Sequence, residues 1–560
     1  MLTNAGRIGG KKMNKADLIL FSNAIFDSVK DKPFPGGIAI SGEKIDYVGS
    51  RKSVEQLAGP YTVVRDFGDK LIFPGICDGH THLEGSVKKD CAVVAKDLDK
   101  CNSEEECARA VREFADKHPD LDRIHGSNWS QTDWGPGAKP PTKASLDKYF
   151  PDTPVYLFGA SGHENWINSK AIEERNLGKL MADNPQFPAD HAPRFENGEF
   201  TGFLKESIAF MVHLQALTYP PHVRAEYHAE FTKLMNSMGI TAMSEVTMPT
   251  PDNIIDQYWT LKALENRGDL TARYYLSVVP RGAPPYSIES IKELDQLKEF
   301  FNTDKLRIAG IKTVLDGVPS SYTAVMLEPY ADNPSTKGSF IYPPDVPLSW
   351  YKEANRLGYS VRVHCCGDAA VRLALDCFEE SNRVNDNSNI RNAVEHMECI
   401  PDEDIPRFAK LGVIASMQPA HFTMSKGDFS LWYGDQSNNE FCFRKLINAG
   451  ARITIGTDSP VVDINPYHTM YAAVTRKHLD GTLCNTKTAD QALTLPEVLK
   501  GYTVNSAYIN GMEHKVGTLE AGKYADIAVS DKNLFTIPSD ALKDCHTVFT
   551  LFNGSIVYEE

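Results

Sequence analysis

Between Ile76 and Asp458 the chain carries eight short apolar runs, each followed by a polar or helical stretch. They are Ile76–His82, Ile240–Val246, Arg273–Val279, Arg307–Val314, Tyr359–His364, Asn392–His396, Val413–Met417 and Arg452–Asp458. Apolar positions at helical spacing fill most of the intervals, as in Gly367–Ser381 and Pro401–Leu411. Short apolar runs alternating with amphipathic helices predict parallel strands covered on both faces. Eight such units predict an α/β fold closed into a (β/α)8 TIM barrel. An open doubly wound sheet is the alternative, and no Gly-rich phosphate fingerprint supports it.

The two ends of the chain have a different texture. From Asp17 to Arg65 the sequence is strand-like, and Gly37–Gly49 alternates around a Ser41–Lys44 turn, a hairpin signal. Gly517–Ser530 and Val548–Tyr558 repeat that style. Neither end holds enough strands to be stable alone. The two are therefore expected to pair into one small, discontinuous β-sandwich from 13–74 and 515–560; two independent terminal hairpins are the alternative. The barrel is then expected over 75–514. The interval after its first run is far too long for a loop and has its own strand (Val155–Phe158) and helices (Ser103–His118, Asn168–Asn176). It predicts an inserted α/β lobe over 88–235, placed where insertions overhang the active face of a barrel.

Composition narrows the function classes. Of 560 residues, 42% are hydrophobic and 24% charged, ordinary values for a globular protein that exclude a disordered or collagen-like chain. The formal charge of −15 at pH 7, with no basic run, argues against nucleic acid or an anionic membrane as partner. No run of about 18 apolar residues offers a membrane span. Lys11, Lys12 and Lys15 before Leu18–Phe26 mimic a signal peptide, but Asp17, Ser22 and Asn23 interrupt the apolar stretch and no small-residue cleavage site follows. Residues 1–12 read as a flexible leader, with Met13 an alternative start. Eleven scattered cysteines without a CxxC predict reduced thiols and a cytoplasmic setting. The oligomeric state is open, a homodimer among the options.

The chemistry concentrates at the ends of the predicted strands. In Phe73–His82, His80 and His82 stand two apart, so on a strand both face one way and reach one ion. A satisfied polar pair is the alternative. His364, His396 and Asp458 each end an apolar run. In a barrel all strand C-termini meet at one face, the usual place of catalysis. Lys312 lies within an apolar run, where an ammonium is costly unless paired or neutralised. Pairing with Asp316 or a substrate carboxylate would satisfy it; so would carbamylation, which makes a carboxylate able to bridge two cations. No HExxH and no GxSxG occur, which argues against a zinc peptidase and a serine hydrolase.

Taken together these segments resemble the amidohydrolase superfamily, in its amidohydrolase-3 or YtcJ-like branch, which includes N-substituted formamide deformylases. The resemblance spans Asp17 to Tyr558. It rests on PGICDGHTHLEG (74–85), GHENWINSKAI (162–172), IKTVLDG (311–317), HCCGDAAV (364–371), EH (395–396), GTDSPV (456–461) and GKYADIAV (522–529). It implies a TIM barrel beside a β-sandwich built from both chain ends. It also implies a metal site of His80, His82, Lys312, His364, His396 and Asp458, with Lys312 carbamylated. Imidazole and carboxylate donors suit zinc, with iron, manganese or nickel also compatible, as one or two ions.

The reaction so implied is metal-dependent hydrolysis of a non-peptide C–N bond, amide or formamide-like, in a small molecule. Asp458 would take the proton from the attacking water and pass it to the leaving nitrogen. The resemblance places His163 near substrate. Trp129 is expected at the cavity or, alternatively, with Trp134 in the lobe core, and His421 is expected to contact substrate from the seventh strand. Ester or lactone hydrolysis, or isomerisation, on the same site is an alternative. So is a non-catalytic regulatory protein on a hydrolase fold, against which the full ligand set argues.

Overall fold

In a computed structural model of the chain, the described residues are all except 1–6, 9–10, 13–14, 92–93, 96, 136–137, 160–163, 186–187, 217–220, 247–253, 280–287, 388, 424–429 and 435–438. The eight apolar runs form eight parallel strands: β1 (Ile76–Thr81), β2 (Ile240–Val246), β3 (Arg273–Val278), β4 (Leu306–Val314), β5 (Ser360–Cys365), β6 (Ala393–His396), β7 (Ile414–Met417) and β8 (Ile453–Ile455). Each pairs with the next in sequence order. Most positions in them are buried, as expected where side chains point alternately into the barrel and under the helices.

The ring closes between β8 and β1. Asp458 N donates to His80 O at 2.7 Å and His82 N to Ser459 O at 2.8 Å. Glycine makes this seam possible. A Cβ on Gly79 would sit 2.6 Å from Ile455 O, and one on Gly456 would sit 2.4 Å from His80 N. Asp78 reinforces the seam: it accepts Thr457 N at 3.0 Å and Thr457 Oγ1 at 2.6 Å. The covering helices show the matching periodicity. In Asp368–Val384 the buried Ala370, Val371, Ala374, Leu375 and Phe378 form one apolar stripe.

The two chain ends form one eight-stranded sheet. Leu18–Ile25, Phe34–Ser41, Lys44–Gly49, Val63–Asp66 and Leu71–Pro74 come from the N-terminal side, and Ile527–Ser530, Thr547–Phe552 and Ser555–Glu559 from the C-terminal side. The halves join where Ile527–Ser530 pairs antiparallel with Leu71–Pro74. They pack on a shared core that includes Leu20, Ile38, Ile72, Ile527, Phe549 and Leu551. The two ends thus pair into one small discontinuous β domain, built as a single sheet, in place of two independent terminal hairpins. It is pinned to the barrel by Arg273 of β3, whose Nε and Nη2 donate to the two oxygens of buried Asp526 at 2.8 and 3.1 Å.

Residues Cys91–Arg224 form a compact unit of their own, the insertion after β1. Its sheet runs in the order Phe203–Lys205, Glu164–Ile167, Val155–Gly159, Ile124–Trp129. The helix Glu104–Lys117 is capped by Ser103, whose hydroxyl accepts Glu106 N, and it buries Cys107, Ala108, Val111 and Ala115.

Candidate metal centre

The polar residues at the strand ends converge on one carboxylate. Asp458 follows β8; its Oδ1 lies 3.1 Å from His80 Nε2 and 2.8 Å from His82 Nε2. Its Oδ2 lies 3.1 Å from His421 Nε2 and 4.0 Å from His396 Nδ1. The His396 ring is 4.8 Å from that of His80 and 4.5 Å from that of His364, centroid to centroid. His80, His396 and Asp458 offer ligand atoms that all lie within 4.8 Å of one another.

Backbone geometry at the strand ends aims these groups. His396 has φ +72° and Asp458 φ +64°, left-handed values that non-glycine residues adopt at a cost. Strand alternation would send neighbours Glu395 and His396 to opposite sides. The turn at His396 lets both reach the centre: Glu395 Oε2 is 2.5 Å from His80 Nδ1. Glu245 of β2 accepts Leu83 N at 2.5 Å and so fixes the chain just beyond His82. His364 Nε2 is 3.2 Å from Gly317 O. That nitrogen donates, so the ring's free lone pair is on Nδ1. Asp316 accepts the N–H groups of Val325, Cys366 and Gly367 and ties the β4 loop to the end of β5.

Charge and burial leave these groups ready to bind a cation. Burial, reinforced by the Lys312 charge, lowers His80 and takes His364 down to about 3. Burial and the neighbouring His364 hold His396 well below its usual value. These three imidazoles are therefore neutral, as ligands must be. Burial alone would raise Asp458, but the surrounding histidines outweigh it and keep the carboxylate ionised. Burial would lower His421; the Asp458 carboxylate 3.1 Å from its Nε2 reverses that and raises it.

Lys312 on β4 is 2% exposed, and its Nζ has no hydrogen-bond partner among the described residues. Burial pushes the ammonium pKa down, against the pull of Glu395 and Asp458. Its nitrogen is not alone. His80 Nε2, His82 Nδ1, His396 Nδ1, His421 Nε2 and Asp458 Oδ1 are also buried without a hydrogen bond. The imidazoles lie close to the carboxylate but are not aligned to donate. Native interiors rarely leave several polar atoms of one cluster unsatisfied. A divalent cation fits the donor set: neutral imidazoles and an ionised carboxylate around a shared space.

The structure thus brings His80, His82, His396, His421 and Asp458 into direct proximity, with His364 and Lys312 coupled to them through ring contact and charge. His421, expected at the substrate, has its Nε2 3.1 Å from Asp458 Oδ2. Trp129 has a different environment from the cavity position expected of it. It is wholly buried in the core of the lobe, stacked on Trp134, with Nε1 donating to Leu157 O at 2.7 Å. A strand position between two apolar layers decides this, and its indole N–H is already spent. His163 lies outside the described residues. Sequence reasoning missed Arg362, Glu395 and Asp78. Arg362 carried the same signal as Lys312, a charge inside an apolar strand.

Fold and site together define a TIM-barrel protein with a histidine–aspartate centre at the C-terminal ends of its strands, the design of metal-dependent hydrolases. Over residues 63–558 the chain matches the amidohydrolase family, and it belongs to that family. It is 24% identical to the N-substituted formamide deformylase of Arthrobacter pascens, over 93% of this chain and 94% of the other. It is 26% identical to the putative amidohydrolase YtcJ of Bacillus subtilis strain 168, over 90% and 92%. An uncharacterized metal-dependent hydrolase from Pyrococcus horikoshii OT3 has the same fold, with TM-score 0.75 and 24% identity over 93% of this chain and 99% of that one. No helix among the described residues is long and apolar enough to cross a membrane.

Proposed function

We propose that this protein is a metal-dependent amidohydrolase that cleaves a non-peptide C–N bond, of amide or formamide type, in a small molecule. The observation that carries the reading is the convergence of His80, His82 and His396 on the Asp458 carboxylate, beside a buried Lys312 whose Nζ has no hydrogen-bond partner among the described residues. These residues, with His364, would hold one or two divalent ions, zinc being the best match to the donors. Such an ion, when bound, polarises a carbonyl and lowers the pKa of water from 15.7 to about 7.

The chain's own groups do the rest. The Lys312 amine, pushed toward its neutral form by burial, is the nucleophile that CO2 requires. Its nitrogen would bond to the CO2 carbon with loss of one proton, giving a carbamate that could serve as a metal ligand in place of the ammonium. Asp458 Oδ2 faces His421 and is the atom suited to hold the proton taken from water. As water oxygen bonds to the carbonyl carbon, Asp458 passes that proton to the leaving nitrogen and the C–N bond breaks. An amine leaves far more readily protonated, so one carboxylate serves both transfers. The similarity to a formamide deformylase supports a formyl or small acyl group on the substrate nitrogen.

The test is a panel of N-formyl and N-acyl amines with matched esters, assayed on protein whose metal content is known. Hydrolysis of an amide that stops on chelation and returns with zinc is the expected result. Preference for the ester over its matched amide would instead favour ester hydrolysis, and absence of bound transition metal would remove the hydrolytic reading.

A further inference from the structure

One buried ion pair is left unexplained by the reaction. Arg362 of β5 and Glu395 of β6 are 2% and 0% exposed. Arg362 Nε donates to Glu395 Oε1 at 2.6 Å, and its Nη2 donates to Gly79 O at 2.6 Å and approaches Ser416 Oγ at 3.3 Å. The other oxygen of Glu395 is the one 2.5 Å from His80 Nδ1. A pair buried this deeply gains little stability over apolar side chains of similar size. Its placement has a chemical consequence instead.

His80 lies between two carboxylates, one at each ring nitrogen. Asp458 Oδ1 is 3.1 Å from Nε2, and Glu395 Oε2 is 2.5 Å from Nδ1. A neutral imidazole has one N–H and can satisfy only one of them. If Nε2 carried the hydrogen, the ring would lose its lone pair on the side of the cluster and leave Glu395 without the Nδ1–H donor its 2.5 Å contact calls for. Glu395 offers the shorter contact, and Arg362 holds Glu395 in place by occupying its second oxygen. Hydrogen bonding at one nitrogen of a ligating histidine fixes which nitrogen is free for metal.

We infer that Arg362 and Glu395 are a positioning pair that holds His80 as the Nδ1–H tautomer and so presents Nε2 to the metal. This rests on the metal-centre reading for its purpose, but the tautomer itself does not need metal. In metal-free protein labelled with 15N-histidine, the ring-nitrogen correlations of His80, assigned by their loss in His80→Gln, are expected to report Nδ1–H. Glu395→Gln is expected to shift the ring toward Nε2–H and to weaken zinc binding, read against a chromophoric chelator, by about 10–100-fold.

Because Glu395→Gln leaves Arg362 buried and uncompensated, the double variant Arg362→Met/Glu395→Gln is measured beside it. It removes both charges and is expected to keep the parental circular dichroism while losing zinc affinity to the same degree. Zinc affinity in the double variant within threefold of the parent overturns the inference. So does an Nε2–H tautomer in the parent protein. A parent chain that takes up no zinc overturns the metal-centre reading, while its His80 tautomer still decides whether the pair positions the ring.

Discussion

At the level of single residues, the centre works by withholding protons from His80, His364 and His396 and keeping the Asp458 carboxylate charged. Asp458→Asn preserves an oxygen at the same position, so the protein is expected to retain most of its metal. The amide cannot accept the proton, and turnover is expected to fall by about 10²–10⁴-fold, the usual contribution of a general acid–base group. Metal analysis beside kcat checks both halves, and near-parental turnover would remove Asp458 from that role. The depressed His364 also links folding to pH. Its ordinary pKa of 6.5 falls to about 3 in the folded chain. Between those values the unfolded chain binds the extra proton, so stability is full above pH 6.5 and declines as pH falls toward 3. In metal-free protein, His364→Gln is therefore expected to flatten the fall in melting temperature across that window. An unchanged slope would show that His364 is not a titrating contributor.

At the level of elements, the site depends on how β8 meets β1. His80, His82 and Asp458 face one another only because glycines at 79 and 456 let two backbones approach within contact of each other. Gly456→Ala drives a methyl against the His80 backbone. It is expected to cost about 1–3 kcal/mol, as overpacking does, and to lower metal content even where the chain still folds. Urea unfolding with parallel metal analysis tests this; a parental midpoint would mean the seam is looser than its contacts imply. Eight apolar runs and their helical intervals marked the parallel strands, because strand burial on both faces leaves a repeating pattern, and their number favoured a closed barrel over an open sheet. The left-handed backbone at His396 and Asp458 had no such signature. It places Glu395 and His396 on the same centre against the period-two rule, and so hid Glu395.

At the level of the whole molecule, the sheet built from both termini is tied to the barrel by Arg273 and Asp526. Both are buried, and Arg273 also lies over the Tyr524 and Phe552 rings at 4.3 and 5.0 Å. Removing one partner strands a charge in the interior. Arg273→Met is expected to destabilise the protein by about 3–5 kcal/mol, and Arg273→Met/Asp526→Asn to recover a large part of that loss. Equilibrium unfolding of the two variants decides it, and equal destabilisation in both would show that packing rather than charge dominates there.

Residue order alone determined the barrel, the pairing of the chain ends, the inserted lobe and the polar strand ends at 80, 82, 364, 396 and 458. Each is written in local periodicity or in a polar residue closing an apolar run, and these survive without knowledge of neighbours. Tertiary structure decided what those side chains meet. Asp458 as the hub of four imidazoles, His421 at its second oxygen, the Arg362–Glu395 pair behind His80 and the burial of Trp129 in the lobe all arise between segments far apart in the chain. Distances across a closed ring of strands depend on register, turn geometry and close backbone contact, none of which a one-dimensional pattern carries.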